Sequence, residues 1–316
     1  MQEMIVSRLK ALFDEGKIDR VVGWKRGESP ADVAPYVFES AESLKDFVYD
    51  DFCGANLSKF LIHQMKKEGR VAVIVKPCDS YSLNVLLKEN RVERERVYVL
   101  GVYCDGKVDG EKLGDALSVT REGDTLQVET LDGKKSVKRS EVLLDRCTVC
   151  DKESHAVSDE VLGTPVNKSS ADRFIGVEEI ENMSEEERFA FWRGELSRCI
   201  RCNACRNACP ACSCEKCIFD NDKSGVAAKA NATSFEENMF HIIRAFHVSG
   251  RCTDCGECSR VCPQNIPLHL LNRKMIKDMN TYYGEYRAGE DTDSEHPLIH
   301  FTENDPEPSI VKEGTK

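Results

Sequence analysis

The feature that most constrains this chain is a cysteine motif that occurs twice in its C-terminal half. The spacing C-x-x-C-x-x-C-x-x-x-C-P places cysteines at Cys199, Cys202, Cys205 and Cys209, and again at Cys252, Cys255, Cys258 and Cys262. Chains use this spacing to bind two [4Fe–4S] clusters, and the fourth cysteine of each motif ligates the other cluster. We therefore predict a first cluster at Cys199, Cys202, Cys205 and Cys262, and a second cluster at Cys252, Cys255, Cys258 and Cys209.

The alternative for the same cysteines is a pair of zinc knuckles. Zinc sites usually take two pairs of cysteines, or cysteine with histidine, at C-x2–4-C spacing. They do not need four cysteines followed by a proline, and here Pro210 and Pro263 complete a duplicated motif. The pattern therefore favours iron–sulfur clusters over zinc.

Cysteine usage and charge limit where the protein works and what it binds. Most of the sixteen cysteines lie in C-x-x-C runs, which are typical of metal ligands in a reducing compartment. The chain opens without the basic segment of a signal peptide, and no apolar run reaches the roughly 18 residues that span a bilayer. We therefore expect a cytoplasmic, oxygen-sensitive protein with no direct membrane insertion. The formal net charge of −11 argues against nucleic acid as a partner.

Apolar strands alternate with helical patterns in the N-terminal half. Apolar residues at helical spacing predict a helix over residues 4–15, followed by a short strand at 18–22. Residues 71–75 and 97–103 are continuous apolar runs, typical of strands that are buried on both faces. This alternation predicts an α/β domain with a mainly parallel sheet and flanking helices.

Four further cysteines lie where this sheet would bind a ligand. Cys78 and Cys104 each follow one of the two buried strands, and parallel strands end at the edge where open α/β sheets bind ligands. A hairpin predicted around Asp132-Gly133 is then followed by the C-x-x-C pair Cys147 and Cys150. The four thiolates are candidates for a third cluster. The alternative is that Cys78 and Cys104 are small buried apolar side chains.

These segments resemble the beta subunit of coenzyme F-420-reducing (deazaflavin) hydrogenases and dehydrogenases. The resemblance spans roughly residues 4–165 and is carried by Lys76-Pro-Cys-Asp79, Gly101-Val-Tyr-Cys104 and Cys147-x-x-Cys150. It implies one [4Fe–4S] cluster held by Cys78, Cys104, Cys147 and Cys150, next to an FAD.

The other four cysteines are Cys53, Cys212, Cys214 and Cys217. The last three lie within a few residues of the first motif, and thiolates that close together are costly unless a metal neutralises them. A further cluster or a zinc ion is one interpretation of this set. The other is that they pack around the neighbouring cluster without binding metal.

Helical patterns surround both cysteine motifs. Ser184 and Glu187 have the spacing of a capping box for a helix that runs to about Arg198, with Phe189 and Leu196 expected to pack. Two later segments also show a 3.6-residue apolar period, the first of them capped by Thr233 or Ser234. We therefore predict the all-α type of dicluster ferredoxin domain.

The domain organisation follows from these patterns. We predict an α/β domain with one cluster over residues 1–165, then a polar linker over 166–183 that includes Asn167, Ser169 and Ser170. The helical ferredoxin domain with two clusters follows over residues 184–283. The acidic tail, 284–316, has a composition that favours disorder or ordering on a partner subunit.

Clusters held by thiolates in series transfer single electrons. The sequence therefore predicts an electron-transfer subunit of an anaerobic multi-subunit oxidoreductase, whose partners are the other subunits of a redox complex. Formate dehydrogenase, hydrogenase and heterodisulfide-reductase-like complexes are the natural hosts, and no catalytic residue is assigned. One alternative is an FAD-containing catalytic subunit that oxidises or reduces a deazaflavin or nicotinamide coenzyme. The other is a binding module with structural metal sites.

Overall fold

The computed structural model describes residues 1–166, 171–221 and 234–299. The chain divides into two units, Met1–Arg173 and Phe174–Lys316, and this division falls inside the predicted linker. The linker residues Asn167, Ser169 and Ser170 lie outside the described residues, as does the part of the predicted acidic tail from residue 300 onward.

The first unit combines one larger sheet, one smaller sheet and four helices among its described residues. Its helices are α1 (Gln2–Asp14), α2 (Leu61–Gln64), α3 (Pro77–Lys88) and α4 (Asp145–Thr148). Its strands are β1 (Arg20–Arg26), β2 (Val33–Phe38), β3 (Val71–Val75), β4 (Val97–Val102), β5 (Ala116–Glu122), β6 (Thr125–Thr130), β7 (Gly133–Lys138) and β8 (Glu160–Leu162).

The larger sheet has the strand order β2-β1-β3-β4-β8. Strand β1 pairs with β2 antiparallel, while the pairs β1–β3, β3–β4 and β4–β8 are parallel. All five residues of β3 are buried, because this central strand is covered on both faces. The predicted α/β fold with a mainly parallel sheet is therefore confirmed.

Helix α1 supplies one covering layer of this sheet. Ile5, Leu9 and Leu12 recur at helical spacing and are fully buried in the same core cluster as the strands. The helix ends at Asp14, and Gly16 follows in the left-handed region with φ +64°, a conformation that glycine adopts at little cost.

The smaller sheet is antiparallel, with the order β5-β6-β7. The predicted hairpin is confirmed as β6–β7, with Thr130 paired to Gly133 across the turn. Strand β5 was not predicted. Most residues of Ala116–Glu122 are exposed, so the segment lacks the apolar pattern by which a strand is predicted.

In the described part of the second unit, all regular secondary structure is helical. Its helices are α5 (Ile175–Glu181), α6 (Glu185–Ser197), α7 (Ala204–Ala208), α8 (Ser234–Val248), α9 (Glu257–Arg260) and α10 (Leu268–Tyr283). The predicted all-α ferredoxin-type architecture is therefore confirmed. Thr233, one of the two candidate caps of α8, lies outside the described residues. In the described part of the chain, every helix is too short or too polar to cross a membrane.

Helix α6 begins with the predicted capping box. The Ser184 N–H donates to the Glu187 carboxylate at 2.9 Å, and the Glu187 N–H donates to Ser184 Oγ at 3.2 Å. Leu196 is buried as expected, but Phe189 is 64% exposed, so the packing prediction for Phe189 was wrong. Its ring lies instead against the guanidinium of Arg193, 5.9 Å from the ring centroid.

The packing of α1 on the sheet predicts different effects for two residues of that helix. Leu9→Ala removes a fully buried side chain and should lower the free energy of unfolding by about 2–5 kcal/mol. Met4→Ala is the matched control, because Met4 is 50% exposed, and it should change that free energy by less than about 0.5 kcal/mol. Urea denaturation followed by circular dichroism measures both. Equal effects of the two variants would contradict this packing.

Candidate iron–sulfur centres

A small pocket in the second unit is lined by all four cysteines predicted for the first cluster. These cysteines are Cys199, Cys202, Cys205 and Cys262. Three belong to the first motif and the fourth to the second motif, so the fold brings the two motifs together in the crossed arrangement. The rest of the lining includes the buried apolar side chains of Phe240, Ile266 and Leu268.

The two cysteine loops share one backbone conformation. Arg201 and Asn203 have φ angles of 56° and 60°, and the corresponding positions of the second motif, Asp254 and Gly256, have 58° and 65°. Three of these four are not glycines, and a left-handed residue other than glycine costs about 1–2 kcal/mol. Asn203 and Asp254 are of the types that adopt this region most readily after glycine, so the second loop repeats the turn geometry of the first.

The cysteines predicted for the second cluster are also gathered together. Cys209 packs with Val248 and Cys252 in one apolar group, while Cys255 and Cys258 are buried. Burial raises the pKa of Cys252 well above its ordinary value, and the nearby charges of Asp254, Cys209 and Cys255 raise that pKa further.

Two cysteines of different predicted clusters belong to one apolar group. Cys205 and Cys258 pack together with Leu196, Ile266 and Leu268, so the two predicted cluster sites adjoin each other. Burial raises the pKa of Cys258 to about 12 and also raises that of Cys205. Thiolates at such buried positions are stable only when a cation neutralises them, and bound iron supplies that charge.

Buried polar atoms without hydrogen-bond partners concentrate in the same region. Among the described residues, six of eight such side-chain atoms belong to Arg201, Asn203, His241, Arg244 and Asn272. Buried polar groups are normally paired, so this concentration marks a place where a further polar group belongs. The residues of the second unit therefore fit bound clusters.

Two side-chain nitrogens of the second unit lie near cysteine sulfurs. His241 Nε2 lies 3.3 Å from Cys199 Sγ, and Asn272 Nδ2 donates to Cys258 Sγ at 3.5 Å. Burial lowers the pKa of His241 to about 3, with Arg244 and Arg201 adding to that effect, so the imidazole is neutral. The sequence assigned no role to these side chains, because their only signal was helical spacing.

In the first unit, two of the four other predicted cluster ligands follow neighbouring strands of the larger sheet. Strands β3 and β4 pair in parallel from Val71 opposite Val97 to Val75 opposite Gly101, so Cys78 and Cys104 follow neighbouring strand ends. Burial raises the pKa of Cys78 well above its ordinary value, and Asp79 and then Cys150 add to this rise. Cys147 lies near Gly106. If Gly106 carried a side chain, its Cβ would be 3.6 Å from the Cβ of Cys147.

A site for a single metal ion differs in its ligand arrangement from the site of a cubane cluster. In the ranges that the structure describes, no three His, Cys, Asp or Glu side chains converge where one metal ion would bind. The four cysteines of a cubane cluster bind four different irons. The assignment of all four predicted cluster ligands in the first unit stays a prediction.

A buried ion pair lies beside this edge of the sheet. Lys76 Nζ is 2.6 Å from Asp79 Oδ2, and the two side chains are 2% and 0% exposed. The ammonium also donates to the Ala55 carbonyl at 2.9 Å and lies 4.6 Å from the centroid of the Trp24 ring. Burial lowers the pKa of Lys76, but the charges of Asp79 and Cys78 outweigh burial and leave that pKa raised.

A cleft of about 370 Å³ opens next to Tyr103, the residue that precedes Cys104. Its lining consists of Met1, Tyr49, Asp50, Asp51, Tyr103, Asp105, Lys107, Arg121, Thr164 and Val166. Lys107 Nζ donates to the Asp50 carbonyl at 2.7 Å and lies 4.0 Å from the Tyr49 ring centroid. Arg121 pairs with Asp51 and Asp105 at 3.1 and 2.5 Å. The cleft is therefore lined by two aromatic rings, two cations and three acidic residues, and both cations contact protein oxygens.

The four leftover cysteines do not lie in one unit. Cys53 is fully buried in the core of the first unit, where burial raises its pKa to about 12. Cys212, Cys214 and Cys217 belong to the second unit, where Cys212 packs against the group around Cys209 and Cys214 is exposed. The guanidinium of Arg206 donates a hydrogen bond to Cys217. A fourth metal site stays a prediction.

Comparisons with known proteins agree with the predicted resemblance. Residues 195–266 match the family described as the 4Fe-4S dicluster domain. The chain is 24% identical over 341 residues to the F420-dependent formate dehydrogenase subunit beta of Methanocaldococcus jannaschii, covering 88% of this chain and 89% of the relative. It is 23% identical over 357 residues to the F420-dependent formate dehydrogenase 1 subunit beta of Methanococcus maripaludis, covering 92% and 91%.

A solved structure shows a partial likeness. It is a xenon derivative of the F420-reducing [NiFe] hydrogenase complex from Methanosarcina barkeri, with a TM-score of 0.37 and 15% identity. The overlap covers 46% of this chain and 58% of that one.

The sequence comparisons confirm two predictions. The chain is similar, over 88% and 92% of its length, to two proteins that are named as beta subunits of F420-dependent formate dehydrogenases. Its C-terminal part is a dicluster domain, which confirms two [4Fe–4S] clusters.

The buried ion pair of the first unit predicts a large effect of Asp79→Asn. This change leaves the Lys76 ammonium buried without its carboxylate, and it should lower the free energy of unfolding by about 3–5 kcal/mol. The control is Asp46→Asn, because Asp46 pairs with Lys25 at the surface, where solvent screens the pair, so this variant should change that free energy far less than Asp79→Asn does. Urea denaturation under anaerobic conditions measures both. A small effect of Asp79→Asn would show that Lys76 is neutral or otherwise compensated.

Proposed function

We propose that this protein is an iron–sulfur electron-transfer subunit of an anaerobic multi-subunit oxidoreductase, through which single electrons pass between partner subunits. The observation that carries the proposal is the pocket that gathers Cys199, Cys202, Cys205 and Cys262 from both motifs. The two curated relatives support it, because both are named as beta subunits of formate dehydrogenases. Among the possible hosts, a formate dehydrogenase complex is therefore favoured.

The chain's own residues perform three tasks in this function. The cysteine thiolates of the two motifs hold the clusters, which accept and release one electron at a time when bound. Buried apolar side chains, including those of Phe240 and Leu268, line part of the first site. The side-chain N–H groups of His241 and Asn272 reach cysteine sulfurs, and hydrogen bonds of this kind help to set reduction potentials.

We further propose a third [4Fe–4S] cluster in the first unit, held by Cys78, Cys104, Cys147 and Cys150. Its support is the placement of Cys78 and Cys104 after neighbouring parallel strands, with Cys150 close enough to raise the pKa of Cys78. The buried ion pair of Lys76 and Asp79 lies beside these cysteines, and the charge of Cys78 helps to raise the pKa of Lys76.

The cleft at Tyr49 and Tyr103 favours a second candidate function. In this alternative the protein is a catalytic subunit in which an FAD exchanges electrons with a deazaflavin or nicotinamide coenzyme. Both curated relatives are named as F420-dependent, and the cleft lies beside the proposed third cluster. Tyr49 and Tyr103 would contact a flavin ring, and Lys107 and Arg121 would face its phosphates.

The proposed partners are the other subunits of the redox complex, because the relatives are named as subunits. The acidic net charge of −11 agrees with a protein partner rather than nucleic acid. The cytoplasmic location stays a prediction from cysteine usage.

Metal and flavin content distinguish the candidate functions. Protein purified anaerobically should contain about 12 iron atoms per chain, the sum for three cubane clusters, and no flavin if electron transfer is its whole role. Stoichiometric FAD together with iron would favour the catalytic alternative. Zinc in place of iron would overturn both and favour a binding module with structural metal sites.

Paired cysteine variants test the crossed ligand assignment. Cys262→Ala and Cys202→Ala should each remove about 4 iron atoms, and the double variant should remove no more, because both residues belong to the first cluster. Cys262→Ala combined with Cys255→Ala should instead remove about 8. Iron and acid-labile sulfide analysis measures these losses.

Cys53→Ala is the matched control, since Cys53 is buried in the first unit and should leave the iron content unchanged. If the motifs bound their clusters without crossing, the pattern of the double variants would be reversed. Cys262→Ala would then add to Cys202→Ala but not to Cys255→Ala.

A further inference from the structure

Helix α8 carries a buried arginine for which the described residues supply no carboxylate. Arg244 is only 3% exposed, and its Nη2 donates to the Cys205 carbonyl at 3.1 Å. Its Nε is buried without a hydrogen-bond partner. Other buried cations of the chain, such as Arg273 beside Asp254, have a carboxylate at ion-pair distance.

The charges that surround Arg244 come from the cysteines of both motifs. Burial lowers the pKa of this guanidinium, but Cys209, Cys258 and Cys205 together outweigh burial and hold the pKa above its ordinary value. Cys205 belongs to the predicted first cluster, whereas Cys258 and Cys209 belong to the predicted second. Cys205 and Cys258 also pack in one apolar group, and the Cys205 carbonyl accepts a hydrogen bond from Arg244, so the guanidinium lies close to both predicted sites.

A guanidinium stays protonated in a protein, so burial of Arg244 without an anion would be strongly destabilising. A [4Fe–4S] core bound by four thiolates is such an anion, because the thiolate charges exceed the positive charge of the core. One-electron reduction makes the cluster more negative. A nearby fixed cation consequently stabilises the reduced form more than the oxidised form.

We propose that Arg244 is a shared counter-charge for the two clusters of the dicluster domain and raises the reduction potential of both. The proposal rests on the ligand assignment under the proposed function. Each cluster takes up one electron from a partner subunit or an added reductant. Arg244 keeps its proton throughout, so no proton or covalent bond changes at this residue.

Arg244 differs in this respect from His241, which lies one turn earlier on α8. His241 Nε2 reaches only Cys199, a predicted ligand of the first cluster. Loss of the imidazole N–H should therefore affect one potential, whereas loss of the guanidinium should affect two. This difference separates a shared charge from a general disturbance of the helix.

The test is a redox titration of the anaerobically purified full chain with dithionite, followed by electron paramagnetic resonance. In Arg244→Gln, the equilibrium constant for one-electron reduction should fall about tenfold at both dicluster centres, which equals a downward shift of about 59 mV each. His241→Leu should lower one potential only. Arg193→Gln is the matched control, because Arg193 is exposed in the same unit and should leave both potentials unchanged.

Arg244→Lys keeps the positive charge and should retain potentials closer to those of the unmodified protein than Arg244→Gln does. Unchanged potentials in Arg244→Gln, or a shift of one centre alone, would overturn the proposal. If Arg244→Gln loses iron, assembly of both clusters in Arg244→Lys supports a charge requirement, and loss of iron in both variants counts against it. An unmodified protein without iron would instead overturn the proposed function.

Discussion

The neutralisation of buried thiolate charge is the constraint on which this structure depends. The cysteines of the two motifs are gathered in an apolar interior, where burial raises the pKa values of Cys205, Cys252 and Cys258. Such groups are stable as ligands only when cations lie beside them. The iron of the clusters supplies most of that charge, and α8 places a guanidinium and an imidazole N–H at the same site.

The first unit meets the same constraint with different elements. Parallel pairing of β3 and β4 brings Cys78 and Cys104 to one sheet edge, and the turn into α3 places Lys76 and Asp79 directly beside them. The resulting ion pair is almost fully buried, so its charges interact strongly with nearby thiols. A buried cation thus lies beside cysteines in both units, at a sheet edge in the first and among helices in the second.

The two candidate functions place different requirements on the cleft at Tyr49. Electron transfer between partner subunits needs only clusters and the burial that isolates them from water. Coenzyme chemistry needs, in addition, a flavin held by aromatic and cationic side chains. In the cleft, Lys107 and Arg121 already contact protein oxygens, so an incoming diphosphate would share those cations with Asp50, Asp51 and Asp105.

The sequence by itself determined the elements whose signals are local. The cysteine spacing indicated two cubane clusters, the apolar runs located β3 and β4, and Ser184 with Glu187 marked the start of α6. Only the tertiary structure decided which side chains surround the ligands. In the sequence, Arg244 and His241 show no more than helical spacing, and Lys76 is only one residue of the motif around Cys78. Their roles depend on contacts with residues distant in the chain. Phe189 is a further example, because it is exposed although it was expected to pack. Helical periodicity identifies the apolar face of a helix but not whether another element covers that face.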